Sequence, residues 1–385
     1  MSSQLSSESL KESLEQCFGD IPDNRVIGKT AHKLIDIISV SLLAVVCGAD
    51  SWVGIETYGR AKQTWLKTFL ELSNGIPSHD TFGRVISKLN PETLEKNFQG
   101  WVKQMTQKLG LEVVAIDGKT LKGSYDRESS LKALQMVSAW SSSHQLVLGQ
   151  VAVDQKSNEI KAIPILLEQL DLSGAIITTD AMGTQTAIAR QIQSAGADYI
   201  VTLKSNHPSL AEDARHWLQD HRHQLEIDRI KVTEVICETG HHRIEKRKFW
   251  QVPVEQVFAP ARIKQWTGLR TLVVEESHRL LWNKKTSSIR FFLSSLDSDF
   301  EHFPTSIRSH WGIENQLHWC LDVLFAEDNS RIRKDNAPRN MTLLRRLALN
   351  LLRQDTSKGS LKMKRYQAGL DNDFLLQILA NSSLF

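Results

Sequence analysis

Apolar residues recur at three- and four-residue spacing through LIDIISVSLLAVVCGA, the pattern of a helix that continues helically toward Trp65. GIPSHDTFGRVISKL repeats that pattern, with Pro77 at the entry and Ser78 or Asp80 as the N-cap. PETLEKNFQGWVKQMTQKL adds another helix that opens on Pro91. Residues 26–108 therefore read as an all-helical N-terminal domain, behind a polar lead, 1–25, that ends in the turn-like IPDNR.

The periodicity changes at Leu111. LEVVAIDGKTL, ALQMVSAWSSS and LVLGQVAVD are short β-rich runs separated by polar turns. AIPILLEQLD reads as a helix, GAIITTDAM as a strand, TQTAIARQIQSAG as a helix ending on Gly196, and DYIVTLK as a strand. The order β-β-β-α-β-α-β is that of an RNase H-like sheet: a three-strand meander, then two parallel strands each reached through a helix. Residues 208–223 look helical. RIKVTEVICE, RKFWQVPV, RTLVVEES and SSIRFFLSS then form a stretch too long for a loop, read as a β-rich insertion at about 225–297. Helix returns in FPTSIRSHWGIENQLHWCLDVLF and NAPRNMTLLRRLALNLLRQ. The fold class expected is α/β: residues 109–385 form an RNase H-like mixed sheet with a β-rich insertion and a basic helical C-terminal region, preceded by the helical domain.

An apolar share of 41% and a charged share of 24% are those of a globular protein. The longest apolar run near the start is broken by Asp36, Ser39 and Ser41, and MSSQLSSESLKESLEQ has no signal-peptide character, so a cytoplasmic protein is expected. Cys17, Cys47, Cys237 and Cys320 are scattered without a CxxC pair and read as reduced thiols. The net charge of +3 hides an asymmetry: Arg331 to Arg365 carries eleven Lys and Arg against Asp335 and Asp355. Such a stretch suits a phosphate backbone, and equally a solvated helix surface.

Three acidic residues draw attention. Asp117 and Asp180 stand where the apolar runs VVAID and IITTD stop. Taken singly, each reads as a ligand aimed at solvent or as an ordinary turn Asp. In an RNase H-like order their strands are neighbours, so both carboxylates can face one site. Glu314 lies on a helix-like segment with His310 and His318 at four-residue steps and Trp311, Asn315 and Trp319 on the adjacent stripe. A zinc site from His310, Glu314 and His318 is the minor alternative, without an HExxH pattern to support it. Neither GKT has the earlier glycine of a P-loop, which excludes a nucleoside-triphosphatase of that type. Trp52, Trp65 and Trp101 read as core, Trp311 and Trp319 as packed residues with a possible DNA contact, and His241 and His242 as a basic patch in the insertion.

Together AIDGKTLKGS, TTDAMGTQ, YIVTLKSNHP and HWGIENQLHWCLDVLFAEDNSRIR resemble the H-repeat-associated, ISAS-type insertion-sequence family of DDE transposases, and GIPSHDTFGRVISKL resembles the helical domain that precedes catalysis there, which makes residues 26–108 the candidate for DNA-end recognition and that segment its candidate recognition helix. The resemblance spans about residues 15–355. It implies Asp117, Asp180 and Glu314 as the catalytic, metal-holding triad, two Mg²⁺ or Mn²⁺ ions, and cleavage of element ends followed by transfer of the freed 3′-OH into target DNA. Implied partners are double-stranded DNA, at the ends and the target, and a second copy of the chain on DNA, with nucleoid association when bound. Lys119, Lys122, Lys204, His310, Arg331, Arg333 and Lys334 are assigned to DNA. One departure matters: a wider group of relatives carries Tyr, Arg and Lys around the glutamate, where this chain has Ile307, His310 and Leu321. Asp328 is the rival or fourth acidic participant. The alternatives are a catalytically silent, DNA-binding transposase relic and a metal-dependent nuclease of similar fold that cuts without joining.

Overall fold

A computed structural model describes residues 7–26, 28, 30–106, 113–125, 132–153, 158–227, 233–236, 243–282 and 284–380. Six helices come first: α1 (Ser7–Phe18), α2 (Leu34–Val46), α3 (Trp52–Ala61), α4 (Gln63–Leu66), α5 (His79–Lys88) and α6 (Pro91–Thr106). The middle of the chain follows as β1 (Val113–Thr120), β2 (Gln135–Ser141), β3 (Leu146–Ala152), α7 (Glu159–Glu168), β4 (Ile176–Thr179), α8 (Thr186–Ser194), β5 (Asp198–Leu203) and α9 (Pro208–Ile227). Next are β6 (Thr233–Ile236), β7 (Arg243–Pro253), α10 (Pro260–Ile263), β8 (Thr271–Leu281), β9 (Lys284–Ser294) and α11 (Phe303–Gly312). The last helices are α12 (Trp319–Phe325), α13 (Ala337–Gln354), α14 (Leu361–Leu370) and α15 (Asn372–Ala380). The expected β-β-β-α-β-α-β order is present, and the fold is the RNase H-like α/β class. Helix α1 was not expected; Leu10, Leu14 and Phe18, four residues apart, are buried in an otherwise polar lead.

The chain divides into two compact units. The first comprises Met1–Leu109, Gly118–Ser157 and Glu314–Phe385; the second comprises Gly110–Asp117 and Asn158–Ile313. The boundary therefore falls inside β1.

In the second unit β1, β4 and β5 run parallel, in the register Val113↔Ile176↔Asp198. The strands of the insertion are not a separate body: they carry the same sheet onward in the order β5-β9-β8-β7-β6, all antiparallel. The buried β5 would otherwise present an open row of amides and carbonyls, and β9 covers it by pairing Ile200 with Ser294 and Leu203 with Phe291. Phe249, Val273 and Phe292 from these added strands share a core with Ile176, Ile200, Phe303 and Ile307.

In the first unit β2 and β3 form an antiparallel pair whose register shifts between Ala139 and Trp140. The core is organised by α13, which is buried along most of its length and packs on α2, α5, α6 and β3. Helix α2 is apolar on all sides and is buried accordingly. Its one carboxylate, Asp36, accepts the Leu72 N–H at 3.1 Å.

Cys17, Cys47 and Cys320 are free thiols, and Cys237 lies outside the described residues. Among the described residues no helix is long and apolar enough to cross a membrane.

Candidate active site

Asp117 follows the buried run Val114-Ala115-Ile116 on β1. The strand does not stop there, as its apolar pattern suggested, but continues to Thr120. The last paired residues of β1 and β4 are Ile116 and Thr179. Asp117 and Asp180 are the next residue on each, carried by hydrogen-bonded parallel strands whose spacing is ~4.8 Å.

Asp180 is both a turn residue and a free acceptor. Its Oδ1 accepts the N–H of Met182 at 2.9 Å and of Gly183 at 3.2 Å. Its Oδ2 accepts no hydrogen bond among the described residues. Gly183 is required: a Cβ there would meet the Thr179 side chain at 2.7 Å.

Asn206 and His207 of the motif YIVTLKSNHP, residues to which the sequence assigned no individual role, brace this turn. The Asn206 amide donates to the carbonyls of Ala181 and Thr184, and His207 Nε2 lies 2.6 Å from the Thr184 carbonyl. Lys204 is exposed at the end of β5. His310, on α11, is half-buried with Nδ1 3.0 Å from Thr178 Oγ1.

Glu314 belongs to the first unit. The expected continuous α-helix is interrupted there by a π-helical segment, Ile313–His318, between α11 and α12. Such widened turns occur often at functional sites. The Glu314 side chain is 57% exposed, and its Oε2 lies 3.1 Å from Nδ1 of the buried His318. Burial pushes the His318 imidazole below its ordinary pKa, with Glu314 pulling the other way. Trp311 and Trp319 are 50% and 57% exposed, so neither is the packed residue its stripe predicted. Ile307 and Leu321, at the missing Tyr and Lys positions, are core residues.

Lys119 does not reach outward. Its buried Nζ lies 2.7 Å from Asp322 Oδ1, 2.9 Å from Asp328 Oδ1 and 3.7 Å from Glu327 Oε2. Burial works against its charge, but these carboxylates outweigh burial and raise its pKa. The exposed Lys122 adds a contact of 2.8 Å to Asp328 Oδ2. Burial raises the Asp328 pKa, and the bonds from Lys122 and Lys119 more than reverse that. Asp328, the rival acidic ligand, is thus engaged by two lysines, and Lys119 by carboxylates rather than open to phosphate. Gly123 sits in the same knot, where a Cβ would come within 2.3 Å of the Ser330 carbonyl oxygen.

Four of the eleven basic residues of the C-terminal stretch are internal. Arg345, Arg346, Lys364 and Arg365 are buried. Arg346 Nη1 donates to Glu327 Oε1 at 3.0 Å, Lys364 pairs with Asp355 at 2.9 Å, and Arg365 caps the carbonyls of Leu324 and Val45 while lying over the Phe325 ring. Arg331 and Lys334 stay exposed. Arg333 is half-buried, donating from Nε to the Gly123 carbonyl at 3.0 Å. The His241 and His242 patch lies outside the described residues.

Asp117 and Asp180 offer carboxylate oxygens and no thiol, and one Asp180 oxygen accepts no hydrogen bond among the described residues. That donor chemistry fits Mg²⁺ or Mn²⁺.

Family models match nearly the whole chain. The model described as Transposase DDE domain covers residues 108–351, and that described as DDE_Tnp_1-associated covers residues 15–102. The chain is 38% identical to the H repeat-associated putative transposase YhhI and to the putative protein YbfL, both of Escherichia coli K12, in each case over 94% of this chain and 97% of the relative. It is 39% identical to the putative transposase YncI of Escherichia coli O157:H7, over 97% of this chain and 95% of that protein.

Proposed function

The chain belongs to the DDE transposase family, and from that premise we propose that it is the transposase of an insertion sequence, cutting DNA at the element's ends and joining the freed 3′-OH to target DNA. The observation that carries this reading is the parallel pairing of β1 with β4, in which Asp117 and Asp180 each follow the last paired residue of their strand. Glu314, on its π-helical turn, is the third carboxylate.

The residues divide the work. Asp117, Asp180 and Glu314 hold divalent cations, which when bound neutralise phosphate charge and activate water. Asp180 is oriented through Oδ1 by the Met182 and Gly183 amides, and its Oδ2, which accepts no hydrogen bond among the described residues, would be free to help hold a cation. His318 orients the Glu314 carboxylate. Phosphoryl transfer asks mainly for positioning and charge neutralisation, so no covalent nucleophile is needed from the protein. Lys122, Lys204, Arg331 and Lys334 are exposed cations suited to the DNA backbone, with His310 and Arg333 in supporting positions. Trp319 is exposed and suited to stack on an unpaired base. Two copies act together on paired ends.

Incubation with end-containing DNA and Mn²⁺, followed by mapping of termini and joint molecules, tests this. Nicks with 3′-OH termini that then join to target DNA are expected. Nicks that never join favour a nuclease, and DNA binding without nicks favours a silent relic.

A further inference from the structure

We propose that a groove on the first unit, between α5 and residues 331–334, is a docking channel for the sugar-phosphate backbone of duplex DNA, with Arg84, Arg331 and Lys334 each taking a phosphate. The groove has a volume of about 760 Å³ and is lined by Trp52, Asp80, Arg84, Arg331 and Lys334 among others. Arg84 and the segment from Arg331 are far apart in sequence, and only the fold of this unit unites them.

Charge commitment sets these three apart. All are exposed, and among the described residues none has a carboxylate within ion-pair reach. Their neighbours are spent: Lys88 pairs with Asp335 at 2.9 Å, and Arg333 binds the Gly123 carbonyl and lies over the Tyr125 ring at 4.7 Å. The groove's one carboxylate, Asp80, is itself 3.6 Å from His79 Nε2. Two of the first amides of α5 are also committed, His79 N–H to Glu56 Oε2 and Thr81 N–H to Ser78 Oγ. The charges available to an anion here are those of the side chains. Trp52 forms a firm wall, its indole lying against α5 so closely that a Cβ on Gly83 would meet it at 3.2 Å.

Unneutralised like charges facing one channel call for a polyanion rather than a small ligand. A duplex, with one negative charge per ~1.7 Å of its axis, provides a matching row. The proposal deepens the DNA reading above but rests on none of the three catalytic carboxylates.

The test uses the full chain in metal-free buffer, with a labelled random-sequence duplex titrated at several KCl concentrations. Arg84→Gln, Arg331→Gln and Lys334→Gln should each weaken binding and reduce the slope of log affinity against log salt by ~1, without changing the melting temperature. Arg84→Lys and Arg331→Lys should restore the slope. Lys161→Gln, an exposed lysine on α7 of the other unit, should leave it unchanged. Wild-type slopes in the three glutamine variants, an equal loss in Lys161→Gln, or no binding of random duplex by the wild type would overturn the channel. Strand cleavage is read separately: its absence with altered slopes fails the transposase reading alone, and its presence with unaltered slopes fails the channel alone.

Discussion

The Lys119 ammonium donates to the Asp322 carboxylate at 2.7 Å, joining the strand residue two places after Asp117 to the helix that follows Glu314. Asp328 and Glu327 complete the clamp, and Glu327 passes the contact on to Arg346. Lys119→Met leaves these carboxylates partly buried without their shared cation, which costs ~3 kcal/mol. A lowered urea midpoint with DNA affinity unchanged is expected. Lost affinity at full stability would return Lys119 to a phosphate-contacting role.

Arg346 sits in the most basic part of the sequence, yet its partner is the buried Glu327. Arg346→Leu should therefore act on folding, by ~3 kcal/mol, because it removes the hydrogen-bonded partner of a buried carboxylate and leaves it the more distant Lys119. Thermal denaturation checks this. A stable Arg346→Leu protein with weakened DNA binding would show that the charge faces nucleic acid.

Gly123 touches backbone on the opposing turn, with the Ser330 and Asp328 carbonyl oxygens 2.3 Å and 2.8 Å from where a Cβ would stand. Gly123→Ala should destabilise by ~1–3 kcal/mol, since backbone atoms must move. Gly100 on α6 has nothing within 4 Å, so Gly100→Ala should instead stabilise by ~0.5–1 kcal/mol. Melting temperatures moving in opposite directions are the expected result.

Glu95 is buried on α6, and burial lifts its pKa from 4.5 to about 7, against hydrogen bonds from the Gln150 backbone and side chain. The folded state thus holds this proton more tightly than the unfolded chain does. Its contribution is fully present below pH 4.5, declines as pH rises toward 7, and is lost above that. Glu95→Gln should be more stable than wild type at pH 8, by up to ~3 kcal/mol, with the difference vanishing near pH 4.5. Urea midpoints of both proteins across this range check the sign.

The strand order was legible because each strand is a short apolar run bounded by polar turns, and Asp117 and Asp180 follow such runs directly. What escaped depends on partners distant in sequence. Lys119 looks like a surface lysine until Asp322 and Asp328 arrive some two hundred residues later. Arg345 and Arg346 look solvated because charge alone does not show that α13 is enclosed by α2, α5, α6 and β3. The π-helical turn at Glu314 keeps a helical pattern on both sides, so four-residue spacing predicted an uninterrupted α-helix. Asn206 and His207 were visible as a motif, but their brace on the Asp180 turn needed the β5 loop beside the β4 loop.

The most direct measurement compares wild type with Asp117→Asn, Asp180→Asn and Glu314→Gln for Mn²⁺-dependent nicking of end-containing DNA, alongside melting temperature and metal-free DNA affinity. Each substitution keeps side-chain size and removes one carboxylate charge. Loss of nicking in all three, with folding and DNA affinity at wild-type levels, is predicted. Nicking by Asp180→Asn or Glu314→Gln at the wild-type rate would contradict the assignment of these three carboxylates as the catalytic centre.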